Sequence, residues 1–274
     1  MSSFIEAIEN ITPEIYENLK QAVELGKWGD GRKLTQEQKE TCLAAMIAWE
    51  MKNLPEEERM VLLEPLQVYI EAQVNDHIEN PRDDITNYLL NVEVEGNKLQ
   101  MEHIFGTIVL ILIAGIDTTW SAIGSSLWHL AQNEDDMSRL RNEPELMDTA
   151  IEEFLRFYAP VTMARKVVKD VEVSGCPMHA GDQTLVTFPA ANHDPKEFDR
   201  ADEFILDREN NRHVAFGAGI HRCAGSNLAR MELRVAIEEW LAQIPEFHLT
   251  DGGEVTWAGG QVRGPRVLPV LTGR

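Results

Sequence analysis

Phe216-Gly217-Ala218-Gly219-Ile220-His221-Arg222-Cys223-Ala224-Gly225 is the stretch on which the reading of this chain turns. It runs straight into residues 228–241, where Leu228, Met231, Leu233, Val235, Ala236, Ile237 and Trp240 predict a helix. A cysteine just ahead of a helix lies near free amides and the positive end of the macrodipole, which favours its thiolate. Glycines at 217, 219 and 225 permit unusual dihedrals and a close approach to a flat partner. Phe216 is placed to pack on such a partner, and His221 and Arg222 offer donors suited to carboxylates. Two plainer readings stay open at this point. Free cysteine commonly behaves as a small buried hydrophobe. Cys223 as a nucleophile with His221 as base is the other, although residues two apart on a tight loop seldom face each other.

Upstream, residues 99–130 predict one very long helix. Residues 104–116 carry no charge, but a membrane span needs about 20 apolar residues. Asp117, Thr118 and Thr119 end the run, so a buried core helix is expected and a membrane span is not. Ala114 and Gly115 leave room beside that helix. An acid followed by an alcohol is suited to proton relay, yet threonine in an apolar helix also commonly bonds back to the preceding turn. A further helix, 144–158, opens on Pro144 and puts Glu153 and Arg156 at i, i+3, ordinarily a surface pair worth about 0.2–0.5 kcal/mol. Residues 167–173 and 183–188 read as strands joined through Gly175, residues 189–222 as mostly irregular, and residues 255–271 as short strand-like pieces.

Residues 1–60 read as a small helical unit. Thr12-Pro13 supplies an N-cap and a first-turn proline, and the helix runs through Ile15, Leu19, Ala22 and Val23 to a stop at Gly26. Gly29-Asp30-Gly31 is a turn. Thr35 and Gln38 make a capping box, with Leu34 as its staple, ahead of a second helix carrying Cys42, Leu43, Met46, Ile47 and Trp49. Pro55 and the acidic run 56–58 mark a boundary. Helices over 62–78 and 84–91 follow, with a turn at 81–84.

Composition narrows the function. The chain has 274 residues, 43% of them hydrophobic, which is enough for a sizeable core. A net charge of −21 argues against nucleic-acid binding. Cys42, Cys176 and Cys223 form neither a disulfide framework nor a CxxC zinc pattern. A reducing cytoplasm is expected, and the first residues lack the basic and apolar stretches of a signal peptide.

The pattern Phe216-x-x-Gly219-x-x-x-Cys223-x-Gly225 resembles the haem-binding signature of the cytochrome P450 family. The resemblance extends over residues 61–274. It implies a mainly α fold with small β-sheets (α+β), a partial version of the family's fold with its long helix and cysteine loop. It implies haem b as cofactor, with Cys223 as the iron ligand, pushing electron density towards bound oxygen. His221 and Arg165, in Pro160-Val161-Thr162-Met163-Ala164-Arg165, would bind the propionates. Phe216, Gly217, Gly219, Gly225, Ala114 and Gly115 would shape the haem pocket, and Ile113 and residues 161–164 would line the substrate site. Ala114-Gly115-Ile116-Asp117-Thr118-Thr119 resembles the oxygen-activating stretch, with Asp117 and Thr118 as the proton relay. Glu153-Phe154-Leu155-Arg156 resembles the ExxR motif, a buried structural ion cluster completed by Arg208.

The resemblance implies a monooxygenase acting on a small apolar organic substrate, with electrons from a ferredoxin or flavoprotein. No segment of residues 1–60 resembles the family's N-terminal part. They are similar instead to small bacterial YeaC-like proteins, through Thr12 to Tyr16, Ala22 to Trp28, Gly31-Arg32 and Leu34 to Glu40. The expected organisation is therefore a helical module, 1–60, fused to a shortened haem domain, 61–274, with dimerisation or the module covering an open apolar side. A haem-binding remnant without turnover, or a chain acting through its N-terminal module, are the alternatives.

Overall fold

A computed structural model of the chain describes residues 11–35, 38, 41–42, 45–46, 49–50, 53 and 63–273. They fall into two units, Met1–Leu110 and Ile111–Arg274, described in turn.

In the first unit, α1 (Pro13–Leu25) starts and stops as expected. Thr12 accepts from the Ile15 amide, Pro13 occupies the first turn, and Gly26 ends the helix at φ 65°. The capping box forms reciprocally: Thr35 N–H donates to Gln38 Oε1 at 3.0 Å, and Gln38 N–H to Thr35 Oγ1 at 3.2 Å. Leu34 is buried with Ala22 and Cys42, and Tyr16 stacks on Trp49 at 4.3 Å. The expected positions Leu43, Ile47, Pro55, residues 56–58 and Leu62 lie outside the described residues. Helix α2 (Leu63–Glu79) buries Ile70 and Val74. Asp84 caps α3 (Ile85–Asn91) and also pairs with His77 at 2.8 Å. A two-residue hairpin, β1 (Glu93–Val94) with β2 (Asn97–Lys98), precedes α4.

Helix α4 (Met101–Leu130) carries the chain into the second unit. By length and composition it is apolar enough to cross a membrane, with a mean hydropathy of 1.7. The expectation of a buried core helix holds for only part of it. Residues 110–116 are exposed, whereas Ser121, Ser125, Ser126, Leu127, His129 and Leu130 are buried.

The core of the second unit gathers α4's last turns with α5 (Glu134–Asn142), α6 (Met147–Phe157) and α8 (Ser226–Gln243), through Leu130, Leu140, Ile151, Phe154, Leu233 and Ile237. Sequence periodicity misses α5, because only Met137 and Leu140 face inward on an otherwise charged segment. Its acidic first turn and Arg139 and Arg141 in the last turn suit the helix dipole instead. Pro144–Leu146 is a separate 3-10 turn ahead of α6, not its first turn.

The strands differ from expectation too. β3 (Thr162–Lys166) pairs antiparallel with β6 (Gln183–Thr187), Arg165 opposite Thr184. β4 (Val171–Val173) pairs with β5 (Cys176–Met178), so residues 167–173 are not one strand. The reason is the turn: Ser174 (φ 51°) and Gly175 (φ 82°) form a tight two-residue hairpin that returns the chain at once. A short helix α7 (Phe188–Ala191) follows β6. At the C-terminal end β7 (Phe247–Leu249) pairs with β10 (Val270–Thr272), and β8 (Thr256–Ala258) with β9 (Gly264–Val267). β9 presses against α4 so closely that a Cβ on Gly264 would stand 2.4 Å from the Ser121 Cβ. Every sheet among the described residues has two strands, which gives the expected mainly α architecture with small sheets.

Candidate functional site

The cysteine loop ends at α8 as the sequence implies. Gly225 is the N-cap residue and no side chain caps the helix, so its first amides stay free. The Cys223 N–H donates to the Phe216 carbonyl at 2.8 Å and closes the loop. Gly217, at φ 68°, makes that closure possible, since a Cβ there would meet the His221 carbonyl at 3.3 Å. Gly219 is also left-handed, but Gly225, at φ −87°, has an ordinary dihedral. Its contribution is space: a Cβ would touch the Cys223 Sγ at 4.0 Å. Cys223 is exposed, and its thiol has no hydrogen-bond partner among the described residues. Phe216 packs against the core and lies under Arg230, whose guanidinium stands 4.6 Å from the ring centroid.

Arg165 and His221 are exposed as well. Arg165 donates to the neighbouring Ala164 carbonyl at 2.8 Å. Neither residue meets a carboxylate among the described residues.

On α4, Ala114 and Gly115 are exposed, and a Cβ on Gly115 would meet nothing within 4 Å. Thr118 donates its hydroxyl to the Ala114 carbonyl at 2.6 Å, the back-bonding common in apolar helices. Thr119 donates to Glu232 at 3.4 Å. Asp117 is held by Arg266 of β9 in a two-pronged ion pair, with Nη2 3.0 Å from Oδ2. The close packing of Gly264 on Ser121 brings that arginine to this carboxylate.

Glu153, Arg156 and Arg208 meet in full burial. Arg156 grips both Glu153 oxygens at 2.8 Å and also donates to the Asn192, Ala201 and Glu203 carbonyls at 2.8 Å. Arg208 donates to Glu153 at 3.0 Å and to the Asp199 carbonyl at 2.7 Å. Asn211 and the Ile205 amide complete the carboxylate's shell at 3.0 and 2.8 Å.

A second ionic group escaped the sequence reading. Glu152 meets Arg230 Nη2 at 2.9 Å and His213 Nε2 at 2.9 Å. Burial alone would raise its pKa, but the His213 hydrogen bond and the Arg230 guanidinium prevail and hold it at about 2. These three side chains, with Asn211, Phe216 and Arg222, line a cavity of roughly 340 Å³ beside the cysteine loop. The available signal was Glu152's place next to the motif's Glu153, which puts it on the neighbouring face of α6.

A cytochrome P450 family model matches residues 56–243. The chain belongs to the cytochrome P450 family. A relative from Sinorhizobium fredii called "Probable cytochrome P450 127A1" is 36% identical over 208 residues, which is 76% of this chain and 50% of that protein. The chain spans about half the length of the curated P450 relatives it matches. Among solved structures, CYP109E1 from Bacillus megaterium in complex with testosterone is 27% identical, with a TM-score of 0.76 over 98% of this chain and 79% of that one. Cytochrome P450 CYP101C1 is 30% identical, with a TM-score of 0.76 over 87% of this chain and 60% of that one. The fold is that of a P450. A second family model, "Protein of unknown function (DUF1315)", matches residues 6–87 and overlaps the P450 match.

P450 membership implies a haem, and the residues present fit one. Among the described residues the Cys223 thiol has no hydrogen bond beside an uncapped helix start, open space adjoins Gly115, and Arg165 and His221 are exposed without a carboxylate partner.

Proposed function

We propose that this P450 chain binds haem b through Cys223 and serves as a monooxygenase, inserting one oxygen atom of O2 into a small apolar organic substrate. The observation that carries the reading is Cys223 itself: an exposed thiol, without a hydrogen bond among the described residues, on a loop locked by its own backbone at the uncapped start of an eighteen-residue helix. When bound, the haem supplies reductive activation of O2.

The chain's own residues have separable tasks. Cys223 offers its sulfur as iron ligand from a loop that its own backbone closes just ahead of α8. Arg165 and His221 bind the two carboxylates of the cofactor, and Phe216, Gly217, Gly219 and Gly225 shape the loop beneath it. Ala114 and Gly115 keep α4 from filling the space beside it, and exposed Ile113 supplies apolar surface for substrate. Asp117 takes up a proton at its carboxylate and passes it to the Thr118 hydroxyl. Adjacent helix residues do not face each other, so that transfer uses a water between them. Arg266 holds the carboxylate at rest, and the pair must open for the proton to move. The buried cluster of Glu153, Arg156 and Arg208 sets the fold beneath the site and takes no part in the chemistry. Electrons come from a separate ferredoxin or flavoprotein in the cytoplasm. Residues 1–60 act as a helical module joined to a P450 domain over 61–274, and a second copy of the chain covers the apolar face of α4.

The deciding experiment is expression with haem supply, reduction, addition of carbon monoxide and an absorption spectrum. A red-shifted thiolate-type Soret band is expected, and Cys223→Ala abolishes it. Folded protein without the band would overturn the assignment. Exposed apolar residues at 110–116 favour a second reading, a haem-binding P450 form without turnover. Asp117→Asn and Thr118→Ala separate the two. In an enzyme they keep the band and uncouple oxygen consumption from product, whereas a chain that consumes no oxygen in the first place is the non-catalytic form.

A further inference from the structure

We propose that Tyr158, His129 and Asp136 form a proton-coupled redox site, in which a strong one-electron oxidant converts Tyr158 to a neutral tyrosyl radical while its phenolic proton passes to His129. The site lies apart from the cysteine loop, and the inference stands whether or not the haem reading does. His129 Nε2 is 2.8 Å from Asp136 Oδ2, and His129 Nδ1 is 2.7 Å from the Tyr158 oxygen. A carboxylate only accepts, so Nε2 carries the ring proton. In the neutral imidazole, the form the step uses, Nδ1 is then the lone pair and the Tyr158 hydroxyl donates to it. The imidazole cannot turn away: it is buried, and it packs on Phe204 with centroids 3.8 Å apart.

Burial first, and then the charge of Asp136, pushes the Tyr158 pKa upward, against a weaker opposite pull from Arg263. The phenol therefore keeps its proton until an electron leaves, at which point it becomes a strong acid with a base already in contact. Bookkeeping closes at each atom. Tyr158 gives one electron to the oxidant and one proton to His129 Nδ1, and the imidazolium remains paired with Asp136. The triad goes from a net charge of −1 to zero, the imidazolium that forms being paired with the Asp136 carboxylate already in place. A route for the electron is present as well. Tyr158 meets Trp128 edge-on at 5.8 Å, and Trp128 meets Trp257 edge-on at 5.1 Å.

The test uses the full chain and photogenerated tris(bipyridine)ruthenium(III) as oxidant, with freeze-trapped electron paramagnetic resonance as readout. The chain has four tyrosines, and exposed Tyr88 serves as the control position. A long-lived neutral tyrosyl signal is expected in the parent protein and in Tyr88→Phe, and its loss in Tyr158→Phe. His129→Asn, which removes the positioned base, should slow radical formation by about a hundredfold. A purely structural hydrogen bond predicts neither result, and an unchanged signal in Tyr158→Phe overturns the proposal. Should the variants fail to fold, the parent protein in D2O decides. A hydrogen-bonded deuteron coupled to the radical oxygen supports the site, and a radical without one refutes it.

Discussion

Glu153 receives five donors from its own chain, whereas the Cys223 thiol and the His221 ring receive none among the described residues. Both sets were picked from the sequence as motif residues, and both are charged or readily charged. They differ in where the partner comes from. A buried charge left unpaired costs several kcal/mol, so a fold can keep one inside only by completing its shell. The Glu153 cluster is complete and therefore belongs to folding. At the cysteine loop the thiol and the imidazole are exposed to water, and no described residue forms a hydrogen bond to either. The difference sorts a P450's motif residues into architecture and site without reference to activity.

The largest expected effect attacks the completed side. Arg156→Ala removes two of the five donors to Glu153 and leaves the buried carboxylate to Arg208, Asn211 and the Ile205 amide. It should cost about 3–5 kcal/mol, read as a lower urea midpoint, the range for breaking a buried pair. A loss below about 1 kcal/mol would mean that the cluster is not the fold's keystone.

Glu152 sits between the two regimes, half-buried and shared by α6, the loop and α8. Its pKa is held near 2 against an ordinary 4.5. A depressed carboxylate adds stability that is fully present above the unfolded value and is lost as pH falls through the folded one. Stability should therefore decline between about pH 4.5 and pH 2, by roughly 2–3 kcal/mol after allowance for partial exposure. Urea midpoints across that range measure it, and Glu152→Gln should flatten the slope. An unaltered acid limb in that variant would remove Glu152 from the account.

These contrasts also show which features were legible in the sequence. Caps and glycine stops rest on local rules, so Thr12, Gly26, Thr35 and Gln38 appear where they were expected. The cysteine loop was legible because loop glycines and the helix start lie within ten residues of each other. Helix α5 was not, since two inward residues leave no periodicity to detect. Strand pairing failed where two left-handed residues decided it, Ser174 at φ 51° and Gly175 at φ 82°. Long-range partners were invisible. Nothing local announces that Arg266, 149 residues from Asp117, will hold that carboxylate, or that Tyr158 will find His129 across 29 residues.

The Asp117–Arg266 pair gives a smaller prediction. Both side chains are more than a third exposed, and exposed ion pairs contribute about 0.2–1 kcal/mol. Arg266→Gln should thus shift the urea midpoint only slightly, and less than Arg156→Ala by several-fold. Raised salt should narrow even that difference, because exposed pairs are screened. A large loss would place the pair with the buried cluster and break the division drawn above.

Smallest of all is the expected effect on folding of the unpartnered groups. Arg165→Gln and His221→Asn change exposed side chains that meet no carboxylate among the described residues, so neither should move the stability of the haem-free chain by more than about 0.5 kcal/mol. On the proposed reading the same substitutions should matter once haem is supplied, since each would remove a charge-assisted hydrogen bond to a carboxylate, worth about 1.5–3 kcal/mol. Haem transfer to an excess of an acceptor protein, followed by absorbance, reads that loss as faster release. The two measurements must diverge for the comparison to stand. If Arg165→Gln destabilises the haem-free chain as much as it speeds haem release, the arginine serves the fold, and an exposed charge without a protein partner is no guide to where a ligand binds.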